Sequence, residues 1–396
     1  MTARSYDRPF AGLKVLDLSQ GVAGPNCAML LSLYGADVVK LEPEEGDWAR
    51  GLGRRYGSHS AMDISGNRGK RSIALDLKHE AGRKVAQRLA RDADILLESF
   101  RPGVAERLGL GYAEVSRDNS RLLYVSISGF GPSGPYGGRP GVDLVLQAFS
   151  GMMASNRGPD GIPHRVGFVA IDMVSSLYAF QALSAALYAR ETQNRGRYID
   201  VSLMQSAAAI QAHRIVEYGL EGAGVQTLNA PTGSYETSDG WIAVAVVKEV
   251  QFRGLCQAVG REDWLADPRY ESFATRAKHA DGLIGELRAI IRTKPTAHWI
   301  EKLSAADLLC NSINGYGDWL EDPHVRAIGA APQVDLPEVT GAPLPAIPGM
   351  LPIPEGDPRQ QPPALGQDGR AILRDAGYSE AEIEALVRDR VLFDAV

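Results

Sequence analysis

Cysteine is scarce in this chain of 396 residues: Cys27, Cys256 and Cys310 stand far apart, with no CxxC pair. Such spacing gives neither a redox motif nor a disulfide scaffold, so a reduced, cytoplasmic protein is expected. Metal ligation lacks its residues as well, because the seven histidines form no pair at helical or finger spacing. Positive charge is not in excess. A net charge of −6 offers nucleic acid no basic field. No uninterrupted apolar run approaches the ~18 residues of a membrane span, and the polar first ten residues do not resemble a signal peptide. A GxSxG elbow is missing, which leaves serine nucleophile chemistry without its motif.

Two look-alikes of phosphate loops fail on context. Gly129-Phe130-Gly131-Pro132-Ser133-Gly134 has GxGxxG spacing after a strand, but Pro132 and Pro135 forbid the helix that should receive a pyrophosphate. A nucleotide-binding oxidoreductase therefore loses its fingerprint. Gly66 to Ser72 holds Gly-Lys without Walker spacing; its cations Arg68, Lys70 and Arg71 leave a phosphate cradle and a solvated loop equally open.

What is present is a globular composition, 44% hydrophobic and 23% charged, in a chain long enough for two or three domains. Leu13–Ser19 reads as a buried strand and Asn26–Tyr34 as an apolar helix with Pro25 in its first turn. Gly35 is its left-handed stop, and Asp37–Pro43 is the next strand. The N-terminus of that helix is suited to an anion. Strand patterns recur at Ser72–Leu77, Ile95–Ser99, Leu122–Ser128 and Tyr198–Ser202, with helices at Glu80–Arg91 and Met173–Arg190. Alternation of this kind predicts an α/β fold with a doubly wound, mostly parallel, Rossmann-like sheet over residues 1–222.

A smaller α+β domain is expected at 223–330. There Thr232–Thr237 and Trp241–Val247 flank a Ser-Asp-Gly turn, followed by helices at Val250–Val259, about Ala277–Arg292 and Thr296–Ser304. Ten prolines between Pro332 and Pro363 forbid a regular helix or a central strand, so this part of 331–396 reads as an extended arm wrapping the body or as a linker. The arm ends in helices that return to the large domain. Ser379 and Glu382 form a capping box before the last one.

Asp172 is the solitary carboxylate between an apolar approach, Gly167–Ile171, and a long helix. By position it reads as an N-cap, accepting backbone N–H groups and held ionised.

Several blocks in one order resemble the class III CoA-transferase, or CaiB/BaiF, family over nearly the whole chain. They are Leu16-Asp17-Leu18-Ser19, Ala23-Gly24-Pro25, Gly35 to Pro43, Lys70 to Lys78, Glu98-Ser99-Phe100-Arg101-Pro102-Gly103, Arg107-Leu108-Gly109, Ser128 to Gly131, Asp143 with Gln147, and Asp172. The resemblance implies an enzyme that moves CoA from an acyl-CoA thioester to a free carboxylic acid. Asp172 is then the nucleophile, passing through an aspartyl anhydride and an aspartyl-CoA thioester. It further implies CoA contacts from Val22 and Ala23, from Leu75, Asp76, Leu77 and Lys78, from Ser99, Phe100, Arg101 and Arg107, and from Arg139. Gly129 and Gly131 would offer N–H groups to an oxyanion. No permanently bound cofactor and no metal are implied, and the assembly would be an interlocked, ring-like homodimer. The related 2-methylacyl-CoA racemases carry a histidine directly before the aspartate matching Asp143. Here that place is Val142, which cannot shuttle a proton.

Overall fold

The computed structural model describes residues 5–158, 160–222 and 229–395. The chain divides into two compact units, 1–212 together with 331–396, and 213–330. The first boundary thus lies ten residues before the expected one. The change of texture at Gly222 marks the end of an exposed helix, Ala212–Glu221, rather than the end of a unit.

The first unit is built on a seven-stranded sheet. Its strands are β1 (Lys14–Asp17), β2 (Asp37–Glu42), β3 (Arg71–Leu75), β4 (Ile95–Glu98), β5 (Leu123–Ser128), β6 (Arg197–Ser202) and β7 (Leu392–Phe393). The spatial order is β7-β3-β2-β1-β4-β5-β6, parallel throughout except for the antiparallel edge strand β7. Side chains alternate between two cores, as period-two geometry requires. Val15, Val38, Leu97 and Val125 face one core, with α1 (Ala23–Leu33). Leu16, Leu41, Leu96 and Tyr124 face the other, with α2 (Glu80–Arg91). A sheet buried on both faces explains why its strands read as continuous apolar runs.

Two further helices belong to this unit: α3 (Asp143–Phe149) and α4 (Ala170–Gln193). By length and composition α4 is apolar enough to cross a membrane, although no uninterrupted apolar run was expected. In this fold 44% of that apolar window is buried. Its Ala179, Leu183 and Ala186 pack into the core that α1 also covers.

The proline-rich stretch is irregular except for one hairpin, Gln333–Leu336 with Val339–Pro343. Beyond it, Ile347, Met350 and Ile353 pack on Met29, Leu30 and Leu33 of α1. The predicted capping box of Ser379 and Glu382 opens a helix over Glu380–Arg388.

The second unit carries an antiparallel three-stranded sheet, with Trp241–Ala245 between Gly233–Glu236 and Leu309–Ser312. Phe252, Leu255, Trp264, Leu287 and Trp299 form its core. The helix expected at Ala277–Arg292 is two helices, Phe273–Lys278 and Ala280–Ile291, broken at His279. Ser272 caps the shorter one, and its Arg276 is locked by the carbonyls of Tyr270 and Ala230 and by Glu249.

Candidate active site

Open α/β sheets bind ligands outside the carboxyl ends of the strands, where the strand order reverses. Here the reversal falls between β1 and β4. The loops leaving these strands meet there, with Ser99 Oγ accepting from the backbone N–H of Gln20 at 2.9 Å. A cavity of about 390 Å³ opens at this point, lined by both loops, by the 127–142 segment, by Trp48 and by Asp172. A second cavity of about 430 Å³ continues from it past Gln20 and Phe100, which line both, toward the ends of β2 and β3.

The two cavities gather every residue that the resemblance proposed. Val22, Ala23, Ser99, Phe100, Arg101, Arg139 and Asp172 line the first. Leu75, Asp76, Leu77, Lys78, Phe100 and Arg107 line the second. Lys78, Arg101 and Arg107 are exposed and form no ion pair with any described residue, so their charge is free for an anionic ligand. Arg139 instead lies over the rings of Phe130 and Tyr136, at 5.3 and 5.1 Å.

The basic loop at 66–72 belongs to neither of its two readings. Lys70 is buried, donating to Asp17 Oδ2 and to the carbonyl of Pro25, each at 2.8 Å. Arg71 bridges Asp37 and Asp375. These cations hold the sheet and the β1–α1 loop together.

That loop is tied from below. Lys40, fully buried, donates to Ser19 O and to Asp47 Oδ2, both at 2.9 Å. Asp47 also accepts from the N–H groups of Gly21 and Ala49. Gly21 sits at φ +84 beneath the Trp48 indole, leaving no room for a Cβ. Trp48 is accordingly fixed with its ring half exposed in the Asp172 cavity. Sequence reasoning missed this residue, whose only signal was a large aromatic directly after Asp47.

Asp172 itself corrects the sequence reading. It is the third residue of α4, not its cap. The cap position is Val169, and no side chain at that position caps the helix. The capping is done from α3: Asp143 Oδ2 accepts from the N–H of Ile171 at 2.7 Å and of Asp172 at 3.2 Å. Gln147, one turn on, donates to Asp143 Oδ1 at 2.6 Å and accepts from the N–H of Val166 at 2.8 Å. Asp143 and Gln147 are buried; the resemblance singles them out, and their i, i+4 spacing puts them on one helix face, but their role as the cap of α4 was not expected. Asp172 is therefore not held ionised. Burial, and then the neighbouring Asp143 charge, push its carboxyl up to about 7.

The glycine loop also differs from expectation. The Gly131 N–H is already donated to Ser128 Oγ at 3.1 Å, so it is not free for an oxyanion. Gly129 is needed for close approach, since a Cβ there would come 2.7 Å from the Gly141 Cα. Val142, where the racemases have histidine, caps α3 in position only and is exposed.

A half-buried carboxylate with a raised pKa in the wall of a cavity, with unpaired cations lining that cavity and the one continuing from it, suits attack on an ester or thioester of a long anionic carrier. Comparison with known proteins agrees. Residues 10–369 match the model of CoA-transferase family III. The acetyl-CoA:oxalate CoA-transferase of Acetobacter aceti is 31% identical, across 94% of this chain and 97% of its own. The succinate–glutarate CoA-transferase of Agrobacterium fabrum is 33% identical, across 86% and 88%. A CaiB/BaiF family protein from Brucella suis superposes with a TM-score of 0.79 at 29% identity, covering 93% of this chain and all of that one. The chain thus belongs to CoA-transferase family III, the CaiB/BaiF family, and is a class III CoA-transferase.

Proposed function

We propose that Asp172 is the covalent nucleophile of this CoA-transferase. Its carboxylate oxygen attacks the acyl carbon of the thioester and expels CoA thiolate, leaving an aspartyl-acyl anhydride. The thiolate then attacks the Asp172 carbonyl and releases the donor acid. An acceptor carboxylate attacks the resulting aspartyl-CoA thioester and again frees the thiolate. In the last step the thiolate takes the new acyl group and Asp172 is regenerated. One thioester and one acid become another thioester and another acid, so neither a redox cofactor nor a metal enters the balance. Dividing the exchange among covalent steps is ordinary nucleophilic catalysis.

The observation that carries this reading is the position of Asp172 with its raised carboxyl on the wall of the switch-point cavity. The CoA would run Rossmann-like along the carboxyl ends of the strands. Its pantetheine arm would pass Val22, Ala23 and Arg139, and its nucleotide would lie toward Lys78 and Arg107. The relatives' names make short mono- and dicarboxylic acids the first panel of acceptors and donors. A cytoplasmic homodimer without permanent cofactor, nucleic acid or membrane partner completes the proposal.

Mass spectrometry of acyl-CoA products tests it. The protein is incubated with acetyl-, succinyl- and oxalyl-CoA against a pool of free acids. A new acyl-CoA that requires both a free acid and Asp172 is the expected result, with Asp172→Ala inactive yet still binding CoA. Full turnover by Asp172→Ala would remove it as nucleophile.

A further inference from the structure

The second cavity has one wall that comes from neither the opening βαβ units nor their loops. Phe393, three residues from the chain end, lines it together with Leu41, Pro43, Leu75, Leu77 and Phe100. It arrives on β7, where Leu392 pairs with Leu75 and Phe393 with Ala74. Successive residues of a strand face opposite ways. Leu392 points into the core, 1% exposed, beside Ile73 and Ile372. Phe393 turns to the other side, joins no apolar cluster and is half-buried at the rim of the cavity. An aromatic ring outside the core that borders this cavity is placed to meet a flat ligand.

The surroundings hold that ring in place. The Asp76 N–H donates to Val391 O at 2.9 Å. Arg390 reaches Glu44 at 2.9 Å, and Arg370 holds Asp394 at 3.0 Å. On the facing loop, Arg83 donates to the carbonyl of Lys78 at 2.6 Å, and Asp76 accepts from the Lys78 N–H at 2.8 Å. Alongside Glu44, Glu45 and Asp76, this cavity presents an apolar wall, an aromatic ring and the unpaired cations Lys78 and Arg107, the chemistry of a nucleotide base with phosphate beside it.

Resting on the CoA-transferase reading, we propose that the C-terminal strand β7 is part of the acyl-CoA site, with Phe393 stacking on the nucleotide base. Strand β7 then sets affinity for the carrier without touching the chemistry at Asp172. Stacking on one aromatic accounts for roughly a ten-fold or greater change in affinity when the ring is removed.

Calorimetry with the full chain tests this, using CoA and 4′-phosphopantetheine, which has no base, as the two ligands. Phe393→Ala is expected to weaken CoA about ten-fold, to leave 4′-phosphopantetheine unchanged, and to raise KM for acyl-CoA at constant kcat. Phe393→Tyr, which keeps the stacking face, should bind CoA like the wild type. Equal CoA affinity in Phe393→Ala, or a parallel loss for both ligands, overturns the assignment. A wild-type chain that binds no CoA would instead overturn the transferase reading beneath it.

Discussion

At the scale of single residues, the basicity of Asp172 decides how hard the first step is. A carboxylate near 4 displacing a thiolate near 8.5 works against about 6 kcal/mol on basicity alone. With the Asp172 carboxyl raised to about 7, the gap shrinks to about 2 kcal/mol. Burial and the Asp143 charge thus spend folding stability on nucleophilicity. The sign follows from linkage: the folded protein holds this proton more tightly than the unfolded chain does. Ionising Asp172 therefore costs stability, a cost absent below pH about 4 and complete above about 7. Asp172→Asn is expected to raise the urea midpoint at pH 8 and to leave it unchanged at pH 4. In turnover, kcat/KM should fall as pH drops through about 7. Asp143→Asn keeps a cap for α4 but removes the charge, so its acid limb should move to lower pH. A pH–rate profile identical to the wild type would show that the Asp143 charge does not tune Asp172.

At the scale of elements, the β1–α1 loop is the part that must not move, and buried charge holds it. Lys40 and Asp47, both fully buried, clamp Ser19 O and the Gly21 N–H, while Lys70 clamps Pro25 O at the other end. Arg50 and Glu42 continue the network through a bidentate pair at 2.7 and 2.8 Å. Burial alone would raise Glu42, but Arg50 and Lys40 outweigh it and hold it at about 2. Its contribution is present above pH about 4.5 and lost as pH falls toward 2. Removing one partner of such a pair strands the other. Lys40→Met is expected to cost about 3–5 kcal/mol by urea unfolding and to raise KM for acyl-CoA. A loss below about 1 kcal/mol would mean the clamp is slack. The parallel strands β1 to β6 were legible in the sequence because both faces of the sheet are buried, and the expected bounds match the observed ones to within two residues; the antiparallel edge strand β7, two residues long, left no such pattern. The role of the basic loop was not, since Arg68, Lys70 and Arg71 look alike in sequence whether they face water or Asp17. The cap of α4 was hidden for a similar reason: it comes from Asp143, 29 residues upstream, and local signals cannot report a partner that folding brings from elsewhere.

For the whole molecule, the proline-rich stretch could be read as irregular, but its destination could not, because proline forbids structure without saying where the chain goes. It returns to the first unit, lays Ile347, Met350 and Ile353 on α1, and delivers β7 to the sheet edge. That unit also leaves apolar surface uncovered beside Asp172. Leu144, Val145 and Phe149 on α3 and Leu177 and Tyr178 on α4 are exposed, Leu177 by 54% and Phe149 by 46%. These helices pack together, and apolar side chains exposed on two packed helices mark an interaction site. A second copy of the chain is the occupant we expect, because closed two-fold pairs bury the same patch on both partners. Sedimentation should then give a dimer across the concentrations used for turnover. Leu177→Glu places a carboxylate in the patch of each copy and should shift the protein to monomer with native circular dichroism. Because Leu177 lies on the helix that carries Asp172, five residues beyond it, that monomer should also lose turnover. A variant that sediments as monomer yet turns over like the wild type would show that each copy holds a complete site, and a wild-type monomer would leave the patch for a different protein.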